Sequence, residues 1–161
     1  MCSSDLVTDD EILARPDFED RALQVLQVVE TRQAVDRGEK GHSLALHLRG
    51  PRTTGREFSR LARILCESAT VLGVRLLVND RLDVALALKD AGVHLGARSL
   101  PPAEARRFWG ARRLLGVSVH TESEALEAAV SGADFLFVGA MFETPSHPTV
   151  AAKGTAFMGS V

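Results

Sequence analysis

The side chains with chemistry to offer fall into short clusters: His47 with Arg49, Asn79 with Asp80, Ser118 with His120, and Thr144, Ser146 and His147 together. An imidazole titrates near neutral pH and is the side chain best suited to passing a proton. Each cluster also has a plainer explanation. Arg49 can be a surface arginine at a strand end, and Asp80 belongs to a residue type that starts helices well. His120 can cap or pack, and Thr144 and Ser146 are common loop residues. His94, between Val93 and Leu95, reads as a satisfied core histidine. What joins the clusters is position, because each follows a strand signal. In α/β folds function collects where strands end.

The elements that must position these groups alternate along the chain. A weak strand over Asp5–Thr8 is followed by loop from Asp9 to Asp17. The spacing then predicts a helix from Phe18 to Arg37, with Phe18, Ala22, Val25, Val29 and Val35 on one face and Gly38 as its stop. Ser43–Leu48 is the second strand. Leu44, Leu46 and Leu48 take the parity suited to helices, which puts His47 and Arg49 at the inner, C-terminal mouth. Gly55 to Val71 is helical, burying Phe58, Leu61, Ala62, Leu65 and Ala69.

The central stretch, VRLLVNDRLDVALALKDAGVHLG, predicts strand, helix, strand. Val74–Val78 has the continuous apolar character of a strand buried on both faces. Val84, Leu88 and Ala91 mark the helix, Gly92 ends it, and Val93–Leu95 is the next strand. Pro101 or Pro102 starts a short helix to about Phe108. Leu114–Val119 is the fifth strand, with Gly116, Ser118 and His120 on one parity. Thr121-Glu122-Ser123-Glu124 is a capping-box pattern opening a helix to Ser131. Phe135–Val138 is the sixth strand, and a loop from Gly139 to Pro148 follows. Such alternation argues for a parallel sheet with helical crossovers. It leaves open a doubly wound sheet or six-eighths of a (β/α)₈ barrel. The absence of a G-x-G-x-x-G turn after strand one removes the usual dinucleotide expectation.

The 161 residues suffice for one domain with a real core. The 19 basic and 21 acidic residues give a net charge of −2 and no reason to expect a nucleic-acid or membrane partner. No apolar run approaches the roughly 18 residues of a membrane span. The opening MCSSDLVTDD lacks the basic end and apolar core of a signal peptide. Cys2 and Cys66 lie far apart, as expected of a reduced, cytoplasmic protein without a disulfide.

VNDRLDVALALKDAGVHLG, then LPPAEAR, then LGVSVHTESEALEAAVSGADFLFVGAMFETPSHP, resemble the thiamine phosphate synthase and thiazole tautomerase (TenI-like) family, in order from about Leu6 to Pro148. The resemblance implies a TIM-type barrel and a role in thiamine biosynthesis on a thiazole phosphate. It implies a single domain over residues 1–161 with about six of the eight strand–helix units, so that the chain is expected to be C-terminally truncated. Either it is a fragment of a longer reading frame, or it associates with itself through open barrel edges.

Departures from the synthase pattern shape the expected chemistry. Synthases carry Q-L-R-E-K at strand two; here His47-Leu48-Arg49-Gly50-Pro51 keeps the arginine and lacks the lysine. By resemblance Asp80 matches one of two magnesium-binding aspartates, and Ser99 stands at the second. P-T-x-T-K after strand six becomes Glu143-Thr144-Pro145-Ser146-His147, again without lysine. Ser118-Val119-His120 and Phe142-Glu143-Thr144 look more like the tautomerase branch, which moves a proton and needs no metal. Tautomerase-type proton transfer is therefore the preferred expectation, and the resemblance makes His120 its general acid/base, a role typically worth about 10²–10⁴-fold. Arg49, Asn79, Ser118, Thr144 and Ser146 would bind the substrate. Magnesium is expected only if synthase coupling of a pyrimidine diphosphate to thiazole phosphate is retained. A non-catalytic ligand-binding, regulatory or decayed homologue is the remaining alternative.

Overall fold

A computed structural model describes residues 3–35, 43–142 and 153–154. The strands are β1 (Ser3–Val7), β2 (Ser43–Leu48), β3 (Arg75–Asn79), β4 (Gly92–Leu95), β5 (Leu115–Val119) and β6 (Phe135–Val138). They hydrogen-bond in chain order, β1-β2-β3-β4-β5-β6. The pairs β1–β2, β2–β3 and β5–β6 are parallel. A doubly wound sheet reverses direction at a switch point, so its strands cannot follow strict sequence order. Sequential parallel strands with helical crossovers are the TIM-type topology, which resolves the choice that periodicity left open. Among the described residues no helix is long and apolar enough to cross a membrane. The chain gathers into two compact units, Met1–Val93 and His94–Val161.

In the first unit, α1 (Asp10–Leu13) replaces the loop expected over Asp9–Asp17. The Asp9 carboxylate accepts from the Ile12 N–H at 2.8 Å, and Asp10 and Glu11 fill the first turn, where negative charge opposes the helix dipole. A four-residue helix is too short to show a periodic face, so only its cap was there to signal it. α2 (Phe18–Val35) buries Phe18 and Leu26 (1% exposed), whereas Val25 is 43% exposed. Of the expected face, Phe18 is buried and Ala22 half-buried, Val25 lies off it, and the side chains of Val29 and Val35 are outside the described residues; Leu26, four residues on from Ala22, takes the buried place. α3 (Gly55–Val71) is capped by Thr54 and buries Phe58, Leu61, Ala62, Leu65, Cys66 and Ala69, a wide apolar stripe at helical spacing. The Cys66 thiol is free, and burial pushes its pKa up, which suppresses the reactive thiolate.

α4 (Leu82–Leu86) is shorter than the helix expected to run on through Ala91. Its ladder tightens at once: the N–H groups of Ala87 and Leu88 donate to the carbonyls of Val84 and Ala85, three residues back. Gly92 does not stop this helix but begins β4.

In the second unit, α5 (Pro102–Trp109) starts at proline and ends at Gly110, whose φ of 82° is left-handed. α6 (Glu122–Val130) carries the full capping box, with Thr121 Oγ1 accepting from Glu124 N–H and the Glu124 carboxylate accepting from Thr121 N–H. β5 and β6 pair Gly116 with Phe135, Val117 with Leu136, Ser118 with Phe137 and Val119 with Val138. Alternation then sorts the side chains. Val117, Val119, Leu136 and Val138 pack with Ala125 and Ala128 of α6, and Gly116, Ser118, Phe135 and Phe137 take the opposite face.

Candidate functional site

In the first unit the strand ends are tied by short polar links. The Thr8 hydroxyl donates to the Arg49 carbonyl at 2.9 Å and accepts from the Arg49 N–H at 2.8 Å. This fixes the half-buried Arg49 at the end of β2 through its main chain. His47, on the same strand, is buried, and its Nε2 lies 3.3 Å from Asp5 Oδ1 on β1. Burial holds the imidazole below its ordinary pKa, with Asp5 opposing that shift. His47 is thus a paired core group joining β1 to β2.

Asn79 and Asp80 end β3. Asn79 Nδ2 donates to Asp80 Oδ2 at 2.7 Å. Asp80 does not cap α4, whose capping position is Arg81 without a side-chain bond. Instead Asp80 adopts φ 62°, the left-handed region that aspartate tolerates better than most residues. Its carboxylate is exposed at the strand end. Backbone strain of this kind clusters at ligand sites.

In the second unit a cavity of about 250 Å³ opens at the C-terminal ends of β4 and β5, with Ser99, Ser118, His120 and Glu124 in its lining. Two of the residues singled out for chemistry, Ser118 and His120, are therefore brought to one cavity. His120 Nδ1 lies 2.7 Å from the carbonyl oxygen of Gly139. A carbonyl can only accept, so Nδ1 carries a proton, and the neutral tautomer with that proton has its lone pair on Nε2. The main-chain N–H of His120 donates to the Glu124 carboxylate, so the residue is held by backbone and ring together.

Ser118 Oγ lies 2.7 Å from His94 Nε2. The His94 ring is 4.6 Å from that of Phe137 and 5.9 Å from that of Phe135, centroid to centroid. Gly116 makes this arrangement possible. A Cβ there would sit 2.1 Å from Phe135 Cζ and 2.8 Å from His94 Nδ1, closer than real atoms approach. His94 is buried and hydrogen-bonded, as the core-histidine expectation has it, and its partner is a cavity residue. Thr144, Ser146 and His147 lie outside the described residues.

Arg49, Asn79 and Asp80 belong to the first unit; Ser118 and His120 belong to the second. Asp80 offers one carboxylate of the kind magnesium takes alongside substrate phosphates. Ser99 offers only a neutral hydroxyl, which already accepts from the Gly96 N–H at 3.1 Å. Among the described residues no group of three His, Cys, Asp or Glu side chains is placed to hold a metal. Among the described residues, Asp80 is the carboxylate that the resemblance assigns to magnesium, and Ser99 supplies no charge.

Sequence reasoning missed Thr8, the Gly139 carbonyl and the need for glycine at 116. Thr8 and Gly139 act through distant backbone, which no local pattern announces. Gly116 was within reach, because a glycine alternating with Ser118 opposite a strand of alternating phenylalanines pairs small with large.

A family model described as thiamine monophosphate synthase (TMP-TENI) matches residues 17–161. A thiamine-phosphate synthase of Moorella thermoacetica is 42% identical over 106 residues, 66% of this chain and 50% of that protein. One of Syntrophomonas wolfei is 40% identical over 133 residues, 82% of this chain and 62% of that protein. The solved structure of thiamine phosphate pyrophosphorylase from Pyrococcus furiosus superposes with a TM-score of 0.63 at 28% identity, covering 88% of this chain and 62% of its own. The chain thus spans 50% to 62% of the length of these relatives. With the family model matching from residue 17 to the last residue, on a sequential parallel (β/α) topology, this chain belongs to the thiamine monophosphate synthase (TMP-TENI) family.

Proposed function

We propose that the chain serves thiamine biosynthesis by handling a thiazole phosphate, and that its reaction is the coupling of that phosphate to a pyrimidine diphosphate. The observation that carries this reading is the name thiamine-phosphate synthase on relatives such as one 40% identical over 82% of the chain. In it, Arg49, Asn79 and Ser118 bind substrate, with Thr144 and Ser146 in the same role. Asp80 would hold magnesium, which when bound neutralises diphosphate charge. A cytoplasmic location belongs to the same proposal. The test is direct: purified protein is given both substrates, with and without Mg²⁺, and thiamine phosphate is measured. Formation above a heat-inactivated control supports coupling. No product at any magnesium concentration overturns it.

A second reading, tautomerase-type proton transfer, is favoured by the His120 geometry. With Nδ1–H bonded to Gly139, Nε2 is the nitrogen that can take a proton from the thiazole ring and return it at another ring atom, leaving composition unchanged. The carbonyl of Gly139 then faces the positive charge that forms on the imidazolium. Aromatisation of the thiazole phosphate tautomer, slowed about 10²–10⁴-fold in His120→Ala, is the expected result. Equal rates in parent and variant would end this second reading.

A further inference from the structure

The buried His94 is absorbed by neither reading, yet it bonds Ser118, a residue of the cavity lining. Its Nε2 is 2.7 Å from Ser118 Oγ, and the ring is 2% exposed, set against Phe135 and Phe137 in the space that Gly116 leaves open. A serine hydroxyl is a rotor with one proton and two lone pairs. Whatever holds it from behind decides what it presents in front. If Nε2 accepts, the Ser118 proton is spent on the histidine, and only lone pairs face the cavity. Lone pairs repel an anionic oxygen. If Nε2–H donates, Ser118 keeps its proton for a ligand.

We propose that His94 is a positioning residue: as the Nε2–H tautomer it donates to Ser118 Oγ and turns the serine proton toward an anionic oxygen of the substrate. This rests on the reading above that Ser118 binds a phosphorylated substrate. The aromatic packing explains why an imidazole is used. A ring held between Phe135 and Phe137 cannot swing, so Oγ is fixed in a way that a flexible amide or a water could not match. The role also explains why a polar side chain is kept at a position where the neighbours on the same strand, Val93 and Leu95, are buried and apolar.

The tautomer is read without any substrate. In a ¹⁵N-labelled sample of the intact protein, long-range ¹H–¹⁵N spectra assign the protonated ring nitrogen of His94. Protonated Nε2 is expected, and protonated Nδ1 with bare Nε2 overturns the proposal. The functional arm uses thiazole phosphate binding by calorimetry and coupling turnover in Ser118→Ala, His94→Gln, His94→Leu and the double variant His94→Gln/Ser118→Ala. His94→Leu is expected to weaken binding or raise KM about tenfold, the scale of one hydrogen bond, with a smaller change in kcat. His94→Gln, which keeps a donor, is expected to recover part of the loss. The double variant is expected to match Ser118→Ala, because His94 acts only through that hydroxyl. Additive losses would make His94 merely structural and overturn the proposal. If Ser118→Ala alone binds and turns over like the parent, the substrate-binding reading of Ser118 fails, and this proposal falls with it. If Ser118→Ala is impaired and both His94 variants are not, only the positioning role fails. Melting curves confirm that each variant is folded.

Discussion

The two ends of the β5–β6 pair are built alike and differ in what they leave over. At the N-terminal end, Asp134 N–H donates to the Leu115 carbonyl at 2.8 Å, and Leu115 N–H donates to the Asp134 carboxylate at 2.7 Å. Arg106 closes this ring. It donates to the carbonyls of Gly110 and Arg113, each at 2.8 Å, to the carbonyl of Gly132, and to Asp134 Oδ2 at 3.0 Å. At the C-terminal end, Gly139 N–H donates to the Val119 carbonyl at 3.1 Å, and His120 Nδ1–H donates back to the Gly139 carbonyl at 2.7 Å. Both ends lock one strand to the next by returning a side chain to the partner's backbone. The guanidinium spends its donors on the lock, whereas the imidazole commits one nitrogen, Nδ1, to it. The difference follows from the side chains: a guanidinium carries five donors in a fixed fork, and a neutral imidazole carries one donor and one acceptor.

The sharpest way to break the comparison is at the His120 end. On the tautomerase reading proposed above, His120→Ala is expected to slow tautomerisation about 10²–10⁴-fold while shifting stability by about 1 kcal/mol, the scale of a half-exposed hydrogen bond. A chemical melt and an activity assay on the same preparation check both halves. At the other end the expectation reverses. Arg106→Ala removes several hydrogen bonds from a side chain 15% exposed, so unfolding should ease by about 3 kcal/mol with turnover per folded molecule unchanged. Arg106→Lys should rescue little, since an ammonium cannot span the same carbonyls.

Gly116→Ala probes the ground between the ends. The added methyl meets the Phe135 ring and should cost about 1–3 kcal/mol, and Phe135→Leu in the same chain should recover part of it. The smallest effect lies in the first unit and depends on pH. The fold holds His47 below its ordinary pKa of about 6.5. Above that pH both states are neutral and stability is complete. Below it the unfolded chain takes a proton that the native state resists, so stability declines as pH falls toward the native pKa, by at most about 1.4 kcal/mol per pH unit. Urea melts at successive pH values should show that slope in the parent and not in His47→Gln. Its persistence in the variant would assign it to other groups.

Much of the fold was legible because it follows from neighbours in sequence. The capping box at Thr121, the proline start of α5, and the α3 stripe from Phe58 to Ala69 each rest on spacings within a helix. Errors came where a local pattern underdetermines the outcome. Val25 and Leu26 are both apolar and adjacent, and only the packing of α2 selects Leu26. The α4 pattern continued through Ala91, but the helix had already tightened and ended at Leu86.

The candidate site was half legible for the same reason. That Ser118 and His120 follow one parity at the end of β5 is a property of the strand itself, and the sequence determined it, along with the alternation of elements and the family likeness. What only the tertiary structure decided is which atoms meet: His94 with Ser118 across 24 residues, and His120 with Gly139 across 19. Helical and capping bonds are set by residues a few positions apart, so composition and spacing suffice for them. A contact between strands depends on register, and register is chosen by the whole set of side chains that must pack at once.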